Sequence, residues 1–215
     1  MAKQIGPNIQ TEVLMPESQI WGGTIRKVWL SESNKFRDHL LRLDRDSRRM
    51  RFGMAVSDAF IIDYASRLNE MRCLVYGLFV GNEIRAAAEM RQIEDSWSSD
   101  AEGAFSVERE YQNRGIGTEL LGRIIRAARN RGLSRLYMNC LAENHKMQRI
   151  CRKYEADLVF DHGDVVGRVL PSLPTYISLW EEAVDDSSGF VMAVLDLPAS
   201  VASWSANGGK RSSRC

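Results

Sequence analysis

Cysteine is sparse in this sequence. There are four in 215 residues (Cys73, Cys140, Cys151 and Cys215), with no Cys-x-x-Cys pair and no spacing of a disulfide framework. That pattern reads as reduced thiols and gives a cytoplasmic expectation. Histidine is sparser still. His39, His145 and His162 are too scattered to make a ligand set, so no metal is expected. Neither sign of charge dominates: 29 basic against 28 acidic residues leave +1, which gives no global reason for nucleic-acid binding. Long apolar runs are missing too. The longest, around Cys73–Gly81, is roughly half of what a bilayer requires, so no membrane partner is expected. The opening Met1-Ala-Lys-Gln-Ile-Gly-Pro has no apolar core of a signal peptide. What remains is ordinary, 44% hydrophobic and 27% charged, which excludes a wholly disordered, collagen-like or coiled-coil chain.

Three stretches are expected along the chain: a loose arm at 1–20, one domain at 21–185, and an extension at 186–215 that is disordered from about 198. Thr24–Leu30 reads as a strand. Ser31-Glu-Ser-Asn starts a helix with Phe36, Leu40, Leu41 and Leu43 on one stripe, and Ser57-Asp58 caps a second. Cys73–Val80, a Gly81-Asn82 turn and Glu83–Ile93 make a hairpin. Ala101–Glu108 is the next strand. From Ile116 the period becomes 3.6, with Ile116, Leu120, Leu121, Ile124 and Ala128 on one face and Gly132 as the stop. Leu136–Leu141 is a strand, Asn144–Tyr154 a helix, and Ala156–Phe160 and Val165–Leu170 a last hairpin. Tyr176–Ala183 adds one helical or extended piece.

The chemistry lies in Ala104-Phe-Ser-Val-Glu-Arg-Glu-Tyr-Gln-Asn-Arg-Gly-Ile-Gly-Thr. Gly115 and Gly117 stand where a strand turns into a helix. Glycine there permits positive φ and close approach of a ligand, and the first free N–H groups of the helix suit a pyrophosphate. A tight turn without a ligand explains the glycines equally well. A dinucleotide fingerprint fails because Leu120 takes the third glycine's place, and a P-loop fails for want of Gly-Lys-Ser/Thr. As a unit, Gln112-x-x-Gly115-x-Gly117 after Ala-Phe-x-Val resembles the acetyl-CoA signature of the GCN5-related N-acetyltransferases (GNAT), over roughly residues 70 to 170. Ala101-Glu-Gly-Ala-Phe-Ser-Val, Asn144-His-Lys-Met and Arg152-Lys-Tyr-Glu-Ala look like the bacterial protein lysine acetyltransferases within that superfamily.

The resemblance implies an α/β (α+β) GNAT fold, with a mixed, mostly antiparallel central sheet and helices on both faces. It implies acetyl-CoA as co-substrate. Phe105, Ser106 and Val107 would pair with the pantetheine arm. The amides of Gln112, Asn113, Arg114, Gly115, Ile116, Gly117 and Thr118 would hold the pyrophosphate. Asn144 would bond the arm or orient its neighbour, although its position also fits a helix N-cap.

An amine acceptor arrives protonated, with a pKa of about 10.4 for lysine, so a base is required. Glu89, Glu102, Glu108 and Glu110 are candidates. Glu102 matches the base position of the lysine acetyltransferase pattern, while a solvated strand-start glutamate is the plain alternative. Glu108 would line the acceptor groove. The tyrosine that many relatives place seven residues after the asparagine is Cys151 here, which reads better as a buried core cysteine than as an acid.

Between Gly81 and Tyr111 there are 8 acids and 3 bases, which would gather a cationic acceptor. Glu119–Arg135, with 1 acid and 5 bases, lies where an adenosine phosphate could sit, although a solvated face is the simpler reading. Arg45, Arg48, Arg49 and Arg51 could form a nucleic-acid patch, but no aromatic interleaving supports one. The expected partners are therefore acetyl-CoA and an acceptor amine, in a monomer or homodimer. A protein lysine is the first acceptor, and a small amine or polyamine the second. A CoA-binding sensor without turnover is the alternative of another class.

Overall fold

The computed structural model describes residues 21–69, 73–93, 99–171 and 175–195. The expected arm at 1–20, most of the polar loop after Ile93 and the expected tail from about 198 lie outside the described residues. Seven strands form one sheet in the order β1-β2-β3-β4-β5-β7-β6. They are β1 (Thr24–Lys27), β2 (Cys73–Val80), β3 (Glu83–Gln92), β4 (Asp100–Val107), β5 (Arg135–Leu141), β6 (Asp157–Asp161) and β7 (Asp164–Val169). Every neighbouring pair is antiparallel except β4 and β5, which run parallel. The sheet is thus mixed and mostly antiparallel, with helices on both faces, as expected.

The continuous apolar run of β2 follows from its central place, since both of its faces are covered. Leu74, Tyr76 and Leu78 join one core and Val75 and Phe79 the other. Helices α1 (Ser33–Arg42) and α3 (Asp58–Ser66) press Phe36, Leu40 and Ile61 onto the second of these faces, each fully buried. Burying such a side chain contributes about 1.5–3 kcal/mol, so both helices are held by packing. On the other face lie α4 (Ile116–Asn130), with its expected stripe inward, and α5 (His145–Lys153).

Two elements differ from the sequence reading. Arg45–Phe52, expected only as an arginine cluster, is a helix, α2. It has no apolar stripe to announce it. Its start is the Asp44 side chain accepting from Ser47 N at 2.9 Å, and its stop is Gly53 in the left-handed region. Three of its four arginines are engaged by the chain itself: Arg48 by Leu43 O (3.0 Å) and Asp58, Arg49 by Glu143, and Arg51 by Glu89.

The second is α6 (Tyr176–Leu195), which runs across the expected boundary at 185. Its Glu181 and Asp185 pair with Arg126 and Arg123 of α4, and its Glu182 with Arg131 just past the end of that helix. The basic face of α4 is therefore covered by carboxylates of the same chain and is not open to an adenosine phosphate.

Candidate active site

The parallel pairing of β4 with β5 runs from Asp100↔Arg135 to Gly103↔Met138 and stops. β3, on the other side, stays paired with β4 as far as Ala86↔Val107. A seam thus opens inside the sheet beside the second half of β4. Glu108 N donates to Arg85 O at 3.0 Å, which fixes the alternation of the ladder. Ser106 then turns its backbone to β3, while Phe105 and Val107 turn theirs to the seam. Of the three expected cofactor-strand residues, those two offer free edge groups, less the Val107 carbonyl, which accepts from Gln112 Nε2 at 3.0 Å.

The loop after β4 delivers the chain to the N-terminus of α4. Gly115 holds φ 84°, a left-handed value that costs a residue with a Cβ about 1 kcal/mol or more. Gly117 has little room beside it, since a Cβ there would meet Ile150 Cδ1 at 3.0 Å. Thr118 N closes onto Gly115 O at 3.0 Å, and Gln112 N onto Arg109 O at 3.3 Å. The amides of Ile116 and Gly117 come before the first bond of the helix and point out at its positive end. Of the amides expected to form an anion cradle, those of Gln112 and Thr118 are thus spent within the chain, and those of Ile116 and Gly117 stay available. Gln112 works through its side chain, which also reaches Ser47 Oγ (3.2 Å) and takes Lys146 Nζ (2.8 Å). Trp21 Nε1 donates to Arg114 O at 3.0 Å and steadies the same turn.

At the other end of the seam is a cavity of about 140 Å³, lined by Arg51, Tyr64, Glu89, Arg91, Glu102 and Ala104. The expected base, Glu102, belongs to it. Its Oε1 accepts from Asn139 Nδ2 of β5 at 2.9 Å, so the carboxylate bridges the mouth of the seam. Glu89 is buried and already engaged. Arg51 pairs with it, and the Tyr64 hydroxyl donates to it at 2.6 Å. Burial and the neighbouring Glu89 carboxylate push the Tyr64 phenol well above its ordinary range, so it stays protonated and keeps donating.

Glu108 stands six residues further along the chain, just past the end of β4 and about 20 Å away at 3.3 Å per residue. It accepts from His39 Nδ1, Arg42 Nε and Arg85 Nη1, each at 3.0 Å. Burial opposes its charge, but the His39 and Arg85 hydrogen bonds and the nearby cations hold its carboxyl below the usual range. His39 is fully buried, and desolvation lowers its pKa against the pull of Glu108. A neutral ring donating from Nδ1 and accepting the Ser106 hydroxyl at Nε2 (2.9 Å) satisfies all three groups. Glu108 is thereby a strut between α1 and the sheet, in place of the acceptor-groove residue expected from sequence.

Glu108→Gln should cost about 2–3 kcal/mol, because hydrogen bonds to charged groups are the strong ones. That is a fall of roughly 4–12 °C in Tm. Both groups also set a direction with pH. His39 and Glu108 each have a folded pKa below the unfolded one, so each contribution is complete above the unfolded value and lost as pH falls. Stability should decline below about 6.5 and again below about 4.5, followed as Tm against pH. A Tm flat from pH 7 to 4 would remove this role.

Asn144 Oδ1 accepts from Met147 N at 3.1 Å, so the residue caps α5 and keeps its amide hydrogens for another partner. Cys151 is fully buried against Gly167, with its thiol pushed up to about 12 by burial, and is a core residue. Tyr154 donates to Thr118 O at 2.9 Å and ties α5 to α4. Sequence reasoning missed Arg51, Tyr64 and Arg91 as site residues. For Arg51 the available signal was the Asp44…Gly53 capping frame of α2.

The model of the acetyltransferase (GNAT) family matches residues 37–154. No curated protein matches the chain. Among solved structures, the GNAT domain of S. lividans PAT is similar, with 20% identity, a TM-score of 0.58, and coverage of 68% of this chain and 89% of that one. An acetyltransferase of the GNAT family from Streptococcus pneumoniae has 15% identity, a TM-score of 0.55, and coverage of 69% and 99%. The Salmonella typhimurium protein yncA, solved with its cofactor acetyl-CoA, has 13% identity, a TM-score of 0.51, and coverage of 71% and 96%. At these identities the likeness is one of fold.

Proposed function

The chain belongs to the acetyltransferase (GNAT) family and is an acyltransferase; on that premise we propose that it moves an acetyl group from acetyl-CoA to a primary amine with Glu102 as general base. The single observation that carries this reading is the position of Glu102. Its carboxylate borders a cavity on one side and the open seam of the sheet on the other. The residues present fit the co-substrate. The amides of Ile116 and Gly117 suit a pyrophosphate, and the free edge of Phe105 and Val107 suits an amide-bearing arm. When bound, acetyl-CoA supplies the activated acetyl thioester.

Glu102 takes one proton from the acceptor's ammonium. The neutral nitrogen forms a bond to the acetyl carbon as the carbon–sulfur bond breaks, and the second proton, which the nitrogen then sheds, passes through water to the departing thiolate. Cys151 has no part in this last step, since it lies in the core. The Ala-Glu-x-Ala-Phe pattern at Ala101–Phe105 favours a protein lysine as the acceptor, with a small amine second.

Release of free CoA from acetyl-CoA, measured with a lysine-containing peptide and with a diamine, tests the reading. Release above the amine-free background is expected. Bound CoA with no release from either amine would make the chain a sensor without turnover.

A further inference from the structure

The charges around the Glu102 cavity balance in number but are not paired off one to one. Arg51 and Arg91 line it together with Glu89 and Glu102. Glu89 is engaged by Arg51 and by the Tyr64 hydroxyl. Arg91 faces Glu102 across the strand pair, yet among the described residues it makes no ion pair. Its Nη2 donates instead to the Tyr64 oxygen at 2.8 Å, and its guanidinium lies 5.5 Å from the Tyr64 ring centre. Arg51 donates to the same oxygen at 2.9 Å. The Arg51 side chain is only 7% exposed, and its Nε is buried without a partner; the Arg91 Nε is in the same state. A buried donor left unmade costs stability, and a guanidinium edge matches a carboxylate. The cavity, about 140 Å³, has room for four or five waters at about 30 Å³ each, enough for a small charged head group.

Resting on the acetyltransferase reading, we propose that the acceptor is an amine that also carries a carboxylate, the amine lying at Glu102 and the carboxylate at Arg91 and Arg51. Glu102 marks the end of the cavity that accepts a cation, and the two arginines mark the end that accepts an anion. A polyamine is disfavoured, because its second ammonium would meet the guanidinium of Arg91. The carboxylate comes either from a free amino acid or from an acidic residue beside a lysine in a polypeptide.

Matched acceptors separate these sources and test the proposal, with CoA release read as kcat/KM. One arm pairs free lysine with its decarboxylated diamine. The other pairs a lysine peptide carrying a neighbouring aspartate with the same peptide carrying asparagine. A preference of at least tenfold for the carboxylate-bearing member is expected in one arm, and that arm names the source. Arg91→Gln should bring the ratio close to one, and Arg91→Lys should keep part of it. The wild-type ratio already decides if either variant folds poorly. Equal or better use of the carboxylate-free member in both arms overturns the proposal while the acetyltransferase reading stands. No release from any member removes both.

Discussion

Glu102→Gln should lower kcat about 10²–10⁴-fold at pH 7, the usual cost of losing a general base. Glutamine keeps the shape of the side chain and can still meet Asn139 Nδ2 through its amide oxygen, so the mouth of the seam stays built. It cannot take a proton. Affinity for acetyl-CoA should hardly change, because the carboxylate borders the cavity while the helix N-terminus proposed for the pyrophosphate follows the other end of β4. The deficit should shrink as pH rises toward about 10.4, where a lysine amine no longer needs a base. Steady-state kinetics across that range, with affinity measured separately, gives both numbers. Wild-type kcat in a folded Glu102→Gln protein would mean that the proton leaves through water.

Gly117→Glu should weaken CoA binding roughly a hundredfold without unfolding the chain. A unit charge about 4 Å from a phosphate charge costs about 1 kcal/mol in water and about 4 in a partly buried setting. Each 1.4 kcal/mol is a factor of ten in Kd. The added Cβ needs only the Ile150 methyl group, 3.0 Å away, to yield slightly. An acid in the first turn of α4 also favours the helix dipole. Titration calorimetry with CoA, beside a melting curve within a few degrees of wild type, separates binding from folding. An unchanged Kd would move the pyrophosphate away from this helix.

The turn from strand to helix at Gly115 was legible because its signal is local. Gly115 at φ 84° and the onset of the 3.6 period at Ile116 are properties of a dozen consecutive residues. The hairpin at Gly81-Asn82 was legible for the same reason. Of the residues that line the cavity, only Glu102 stood out in the sequence. Arg51, Tyr64 and Arg91 come from α2, α3 and β3, and the packing of those elements brings the three together. Arg51 stood in a run of arginines that could equally have met solvent or nucleic acid. Only the buried Glu89 and the half-buried Tyr64 select its partner. Glu108 was read as a groove residue because its strand position is right. His39, Arg42 and Arg85, which claim it, stand 69, 66 and 23 residues away. The basic face of α4 was read as open for a similar reason, since α6, which covers it, carries a weak pattern of its own.

The seam beside β4 has a further consequence. A sheet ordinarily leaves its unpaired groups at its two outer margins, where they risk adding strands from other molecules. Here a third margin lies in the interior, between strands that pair as far as Gly103 and Met138 and then part. Its depth is its protection. α4 and α5 pack on one face and α1, α2 and α3 on the other, so a foreign strand would have to enter end-on. A slender chain with its own amides can enter that way. The same interruption of the ladder that is proposed to take a cofactor arm thus acts as a filter against polymerisation, and the molecule needs no charged or proline-blocked edge at that place.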